Sequence, residues 1–183
     1  SMVMTFDPHP VHLLHPQIYC PLLVSVPHRL KLFEALGVDV CIVVRFTKKF
    51  SQITPEQFIQ DYLVDKIHPQ EVFLGHDFRF GQDRRGDLRF FQEAGKRYGF
   101  KTTILSAVKF NQKPISSTRI RQLTAEGKIS SANRLLGRRV SILGTVVRGD
   151  SRGKKLGFPT ANLECGCPLS IPPGVYMVYV VMD

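Results

Sequence analysis

The run Val38 to Val44 (VDVCIVV) constrains the fold more than any other feature of the chain. It is β-branched and nearly continuous, without the polar alternation of a strand that faces water on one side. It therefore predicts a strand buried on both faces of a parallel sheet. Its flanks agree with that reading. Upstream, His28 to Leu36 sets Leu30, Leu32, Phe33 and Leu36 at helical spacing, and Gly37 follows as a C-terminal stop. Downstream, Thr54-Pro55-Glu56-Gln57 reads as a helix start: Thr54 caps, Pro55 suits the first helical position and Gln57 completes a capping box. Phe58, Tyr62 and Leu63 then face inward until His68-Pro69 ends the helix. Glu71 to Leu74 and Thr102 to Leu105 predict further strands. Between them Asp87 to Tyr98 predicts a helix with Leu88, Phe91 and Ala94 on one side and Gly99 past its end. A short strand at Val3 to Phe6 runs into Asp7-Pro8-His9-Pro10, whose prolines predict an irregular loop. Strand-helix-strand units of about 30 residues imply right-handed crossovers and an α/β fold with an open, doubly wound parallel sheet.

The pattern changes after Gly137. Val140 to Val147 and Val175 to Val181 are β-rich and separated by a glycine-, lysine- and proline-rich stretch without helical period, as at the start of an antiparallel barrel or sandwich. Two strands are too few for an independent β domain. The expected organisation is a domain over 1–136 followed by the beginning of a β-barrel over 137–183. A chain of 183 residues accommodates one domain and part of another. The hydrophobic fraction of 43% and charged fraction of 22% argue against a disordered tail, a fibre or a membrane bundle. The longest apolar stretch, Gly174 to Met182, falls well short of the roughly 20 residues of a spanning helix. No leader pattern opens the sequence, Ser1-Met2 reads as a cloning remnant, and a cytoplasmic location is the default expectation. Cys20, Cys41, Cys165 and Cys167 are too few and too uneven for a disulfide framework, and Cys165-Gly166-Cys167 has no second pair at zinc-site spacing, so reduced thiols are expected.

With 25 Lys and Arg against 15 Asp and Glu, the chain carries a net charge of +10. Such an excess suits phosphate-bearing partners, whether polynucleotide or small ligand. Its distribution along the chain, in small groups beside glycine and hydroxyl residues, leaves both open.

Loops at the carboxyl ends of parallel strands are where α/β proteins bind ligands. Thr5 to Pro10 (TFDPHP) offers His9 between prolines, either a contact for a phosphate or leaving group or a rigid turn with a surface histidine. Leu74 to Gly86 (LGHDFRFGQDRRG) holds Phe78 and Phe80, suited to stacking on a flat ring. Its Arg79, Arg84 and Arg85 are placed to meet phosphate, and its glycines admit close backbone approach. In Pro114 to Arg121 (PISSTRIR), Ser116, Ser117 and Thr118 can cap a helix whose N-terminus favours an anion. With the helix starting at Ser117, Arg119 and Arg121 point in different directions, so only one of them reaches it. Gly149 to Asn162 (GDSRGKKLGFPTAN) has the ingredients of a phosphate site without the P-loop pattern. Thr160 and Asn162, two apart on an extended strand, share a face and could coordinate Mg²⁺.

Taken in order, TFDPHP, LGHDFRFGQDRRG, PISSTRIR, GDSRGKKLGFPTANL and PPGVY resemble the bifunctional prokaryotic FAD synthetase, the riboflavin kinase/FMN adenylyltransferase family, from Val3 to the last residue. The resemblance implies a nucleotidyltransferase-like α/β domain that transfers AMP from ATP to FMN, followed by a β-barrel that phosphorylates riboflavin. It also implies a flavin and nucleotide site around Asp77, Phe78, Arg79, Phe80 and Gly81. Ser116, Ser117, Thr118 and Arg121 would match the segment that holds ATP phosphates, and His9 and Pro10 the turn after the family's second strand. In the kinase part, Gly153, Lys155 and Gly157 would line the ATP loop, with Thr160 and Asn162 holding Mg²⁺ and the nucleotide phosphates. Lys154 stands where the family usually has Arg, supplying charge without the bidentate fork. No equivalent of the family's glycine-rich strand and histidine turn for ATP precedes Val3, and the kinase's catalytic glutamate would lie beyond Asp183. The resemblance thus implies an internal fragment lacking one half-site of each centre, with weak or no turnover. The rival readings are a basic nucleic-acid-binding module with Phe78 and Phe80 stacking on bases, and a nucleotidyltransferase with a different acceptor. The first expects an RNP-type aromatic motif or an Arg-rich helix, and the sequence has neither. The second is opposed by the PTAN segment and the β-rich tail.

Overall fold

The computed structural model describes residues 1–150, 152–167 and 170–182. Its elements are β1 (Met2–Asp7), α1 (Pro10–Leu14), α2 (Val26–Ala35), β2 (Val40–Arg45), α3 (Lys48–Ser51), α4 (Pro55–Gln57) running into a π-helix over Phe58–Ile67, and β3 (Glu71–Gly75). After a 3-10 turn at Gln82–Arg84 come α5 (Leu88–Tyr98), β4 (Lys101–Leu105), β5 (Lys109–Phe110), β6 (Lys113–Pro114), α6 (Ser117–Ala125), α7 (Ile129–Leu136), β7 (Gly144–Val147), α8 (Arg152–Lys155) and β8 (Asn162–Cys165). The strands pair as β1-β2, β3-β4, β5-β6 and β7-β8. β3 and β4 are parallel. β1 and β2 are parallel too, since the Ser1 carbonyl accepts from Val40 and the Asp7 carbonyl from Phe46 with the same offset at both ends. The chain forms two compact units, the first built from Ser1–Met2, Cys20–Cys41 and Ile115–Asp183, the second from Val3–Tyr19 and Ile42–Pro114.

The second unit is organised by an apolar cluster of Ile59, Leu63, Leu74, Phe80, Phe91, Ala94 and Phe100. The capping box at Thr54 forms as its sequence predicts, with reciprocal bonds between Thr54 and Gln57. It launches a helix that buries Ile59 and Leu63, and His68 ends it in the left-handed region, its N–H bonded to the Leu63 carbonyl at 2.8 Å. Helix α5 is capped by Asp87 and closed by Gly99 at φ +82°. Inside it Gly95 has a different duty. The chain turns back over the helix at Phe100, and a Cβ on Gly95 would lie 2.6 Å from the Phe100 carbonyl oxygen and 2.9 Å from the Thr102 hydroxyl. That close approach starts β4 in register, Glu71 opposite Lys101, where the Glu71 carboxylate takes bonds from Lys101 (2.8 Å) and Thr103 (2.5 Å). Those two bonds hold the Glu71 carboxyl below its usual range.

In the first unit, Ser25 caps α2 and Gly37, at φ +75°, ends it. Leu36, expected on the inward face, is the C-cap residue and exposed, because the last turn has ended before it. Thr124 is fully buried and bonds the Ile120 and Arg121 carbonyls and the Ser170 hydroxyl. None of the four cysteines is joined in a disulfide. Burial first, and then the neighbouring Cys165, push the Cys167 thiol up.

Other expectations need correction. Val40 and Val43 of β2 are 46% and 39% exposed, so this strand is not buried on both faces; β1 is its one hydrogen-bonded neighbour among the described strands. The strand expected over Val3 to Phe6 is longer, running from Met2 to Asp7. Pro10 does not continue an irregular loop: its fixed φ suits the first turn of α1, which His9 caps. The β segment predicted from Val140 begins only at Gly144, because the Val140 N–H is taken by the Asn133 side chain at 2.6 Å. Val175–Val181 is not a strand; no described strand pairs with it, and its apolar side chains are exposed.

Two measurements follow from these contacts. Gly95→Ala is expected to lower stability by about 2 kcal/mol through overpacking, and Gly99→Ala, in open space but at positive φ, by about 1 kcal/mol; urea unfolding ranks the two. His28 is buried, and burial together with the Arg138 and Lys31 charges holds its pKa below the ordinary imidazole value of about 6.5. The unfolded chain then binds the proton more readily, so this contribution is present above pH about 6.5 and is lost as pH falls through the depressed folded value. Melting temperature should drop between pH 7.5 and 5.5, and His28→Gln should flatten that slope.

Candidate functional site

The loop Leu74 to Gly86 leaves the carboxyl end of β3 and is fixed at its base. Phe80 and Gly86 form an antiparallel bridge, N–H to carbonyl at 3.1 and 3.0 Å. Gly81 adopts φ +71°, and a Cβ there would lie 2.8 Å from the Pro55 ring. The next N–H, of Gln82, donates to the Ile53 carbonyl at 2.7 Å. The loop is thereby locked against the residues that start α4. Its tip carries two consecutive non-glycine residues in the left-handed region, Asp83 at φ +54° and Arg84 at φ +58°. Arg85 pairs with Asp83 at 3.6 Å and Arg79 with Asp87 at 3.4 Å. The Phe90 N–H on Asp87, assisted by the Arg79 charge, holds the Asp87 carboxyl below its usual range.

The two phenylalanines of this loop have separate duties. Phe80 is 8% exposed and packs against Phe58, Phe78, Phe90 and Phe91 with ring centroids 5.1 to 5.9 Å apart, so it belongs to the core. Phe78 stacks on it at an interplanar angle of 23° and is half-buried, which leaves Phe78 as the ring with surface to offer. Asp77 is exposed, with its carboxylate 3.9 Å from His76. The ring contacts continue through Phe58 to Phe50 and from there to Phe6, at the end of β1. Beyond Phe6 stands His9, whose Nδ1 accepts the Val11 N–H at 3.3 Å and whose ring is 5.6 Å from that of His12; Pro10 follows in α1. His9, Pro10 and Asp77 to Gly81 thus lie in one compact unit, and a run of aromatic contacts ties the loop to Phe6.

Ser116, Ser117, Thr118 and Arg121 belong to the other unit. Ser116 is the N-cap of α6, its hydroxyl accepting the Arg119 N–H at 3.2 Å; Ser117 opens the helix and Thr118 is exposed. The Nε of Arg121 donates to the Pro21 carbonyl at 2.9 Å, which fixes the plane of its guanidinium. No sequence signal could announce that partner, a backbone carbonyl one hundred positions away.

In the same unit the segment Gly149 to Asn162 contains α8. Gly157, at φ +81°, closes this short helix: its N–H bonds the Lys154 carbonyl at 3.2 Å and the Phe158 N–H bonds the Gly153 carbonyl at 2.8 Å. Folding back in this way brings Thr160 onto Gly153, where a Cβ would lie 2.8 Å from the Thr160 hydroxyl oxygen. The Asn162 amide nitrogen lies closer still against Gly149, the first glycine of this segment. Asn162 opens β8 opposite Val147, and Lys155 is exposed on α8. Among the described residues no group of three or more His, Cys, Asp or Glu could hold a metal ion.

The basic aromatic loop thus follows a parallel strand, and the glycine-cradled loop joins the antiparallel pair β7-β8. Residues 1–119 match a family model described as FAD synthetase, and residues 136–183 match one described as riboflavin kinase. The chain therefore belongs to the FAD synthetase family. It is 34% identical over 181 residues to the bifunctional riboflavin kinase/FMN adenylyltransferase of Buchnera aphidicola (subspecies Schizaphis graminum), covering 98% of this chain and 58% of that protein. The proteins of the same name from Escherichia coli K12 and Listeria monocytogenes are each 38% identical, with 98% and 97% of this chain and 58% and 57% of those proteins covered. The chain thus spans rather more than half the length of these relatives. A solved structure titled macrolide-efflux protein, from Streptococcus pneumoniae, superposes with a TM-score of 0.72 at 30% identity, covering 90% of this chain and 53% of that one. No helix among the described residues is long and apolar enough to cross a membrane.

The lock between Gly81 and Pro55 is open to a direct check. Gly81→Ala should cost about 2 kcal/mol, from the clash and the positive φ together. Freed at its base, the loop should also be nicked by trypsin after Arg84 and Arg85 faster than in the parent chain.

Proposed function

We propose that this chain carries FMN adenylyltransferase chemistry in a doubly wound domain over 1–136, transferring AMP from ATP to FMN to give FAD and pyrophosphate. Residues 137–183 begin a riboflavin kinase barrel that, in the longer protein, phosphorylates riboflavin to FMN. The observation that carries this reading is the succession of the two family matches along one chain. In adenylyl transfer a phosphate oxygen of FMN attacks the α-phosphorus of ATP and pyrophosphate leaves from the opposite side, without a covalent enzyme intermediate. The protein contributes positioning and positive charge.

The contacts described above support the following roles. Phe78 offers its ring to the flat isoalloxazine, while Phe80 and Gly81 hold the loop in place beneath it. Arg79 braces the loop through Asp87, and Asp77 faces the ligand side. His9 and Pro10 border the same unit's strand exit. Ser116, Ser117 and Thr118 bind ATP phosphates at the start of α6, and Arg121, held by the Pro21 carbonyl, adds positive charge. In the kinase part, Gly153, Lys155 and Gly157 shape the loop for ATP. The Thr160 hydroxyl, seated on Gly153, and the Asn162 amide oxygen, whose amide nitrogen is seated on Gly149, are hard donors that fit Mg²⁺. When bound, Mg²⁺ would neutralise phosphate charge there. The partners are small molecules, ATP, FMN and riboflavin, with no nucleic acid and no membrane, and the location is cytoplasmic.

The test is chromatography of riboflavin, FMN and FAD after incubation with Mg-ATP, on this chain and on one extended to the length of its relatives. FAD from the extended chain is the expected product, with little or none from the 183 residues alone. No flavin product from either would refute the assignment.

A further inference from the structure

We propose that Arg84 is the residue through which the loop Leu74 to Gly86 recognises a phosphate group of its nucleotide ligand. The assignment rests on the nucleotidyltransferase reading above and separates three arginines that the sequence presents as equals. Arg79 is directed to Asp87 and Arg85 to Asp83. Arg84 is exposed, and its side chain makes neither an ion pair nor a hydrogen bond among the described residues.

Its backbone supplies the second argument. At φ +58°, directly after Asp83 at φ +54°, Arg84 holds a conformation that a residue with a Cβ adopts at a cost. Such a conformation persists only where its surroundings over-determine it, and here they do. The Phe80 and Gly86 bridge closes the loop's neck, Gly81 is seated against Pro55, and the Gln82 N–H is bound to Ile53. Glycine would occupy either tip position without strain. The two side chains present make different uses of their places: Asp83 holds Arg85, and Arg84 is turned outward without an acidic partner. A strained, exposed, uncompensated guanidinium at the rim of an aromatic loop fits one use, a charge-assisted contact to a phosphate ester. That phosphate belongs to FMN or to ATP.

The experiment measures binding of FMN against riboflavin and of ATP against adenosine, by flavin fluorescence and calorimetry. It uses the 183-residue chain and its Arg84→Gly, Arg84→Lys and Arg85→Ala variants. Arg84→Gly should raise the melting temperature, since it relieves the strain. It should also weaken FMN or ATP about tenfold or more while leaving riboflavin and adenosine unchanged. Arg84→Lys should fall between, and Arg85→Ala should bind as the parent does. The member of the pair that responds identifies the phosphate. Unaltered binding of both phosphorylated ligands by Arg84→Gly, or an equal loss for their unphosphorylated counterparts, overturns the assignment and leaves the nucleotidyltransferase reading intact. No binding of any of the four ligands, by this chain and by one extended to the length of its relatives, overturns both.

Discussion

The second unit depends on the Phe80 ring more than on any hydrogen bond. Phe80 sits where the loop after β3, the helix after Asp87 and the helix after Thr54 converge, and it touches a ring from each: Phe78, Phe90 with Phe91, and Phe58. A buried phenylalanine of this kind is worth about 2 to 3 kcal/mol by area alone, with up to about 1 kcal/mol more for each well-oriented ring pair. Its position makes that energy constrain shape. With Phe80 held, its backbone bridge to Gly86 closes the loop neck, and the glycines on either side are required because the space a Cβ would need is filled by the Pro55 and Phe80 rings. A loop of apparently flexible composition is rigid at its base for this reason, and rigidity at the base permits two left-handed residues at the tip.

The sequence made most of the local structure legible. Thr54, Asp87, Gly37 and Gly99 end or begin helices where their chemistry says they must, because a cap is a contact between residues three to five positions apart. Burial was legible only in part. The run Val38 to Val44 is apolar on both faces, yet exposure of Val40 and Val43 depends on which strands lie beside β2, a fact absent from the run itself. Val175 to Val181 is the same case carried further: the β propensity is present, and no described strand supplies a partner.

The candidate site divides along the same line. Its residue types and their order were readable, and they suffice to place the chain in its family. Their division of labour was not. Phe78 and Phe80 are equivalent as text, yet one is core and the other surface. Arg79, Arg84 and Arg85 are likewise equivalent until Asp87 and Asp83 are seen to engage two of them. In both cases the deciding contact is short in space and set by a backbone turn, the bridge at Phe80 and Gly86, which no residue pattern specifies uniquely.

The loop before β8 shows how little tertiary structure a ligand cradle needs once its turn is encoded. Gly157 lets the chain reverse at the end of α8, and the reversal alone carries Thr160 onto Gly153 and Asn162 onto Gly149. The ladder between β7 and β8 then fixes the register of Asn162 opposite Val147. Every contact in that chain of cause lies within Gly144 to Cys165, so the placement of the two oxygen donors is independent of where Val175 to Val181 goes. Function that requires the tail would therefore be limited by what the tail adds to the site and not by assembly of the cradle. By the same reasoning, a substitution that adds a side chain at Gly149 or Gly153 acts on the cradle directly, since the atom it adds would occupy the space that Asn162 or Thr160 now fills.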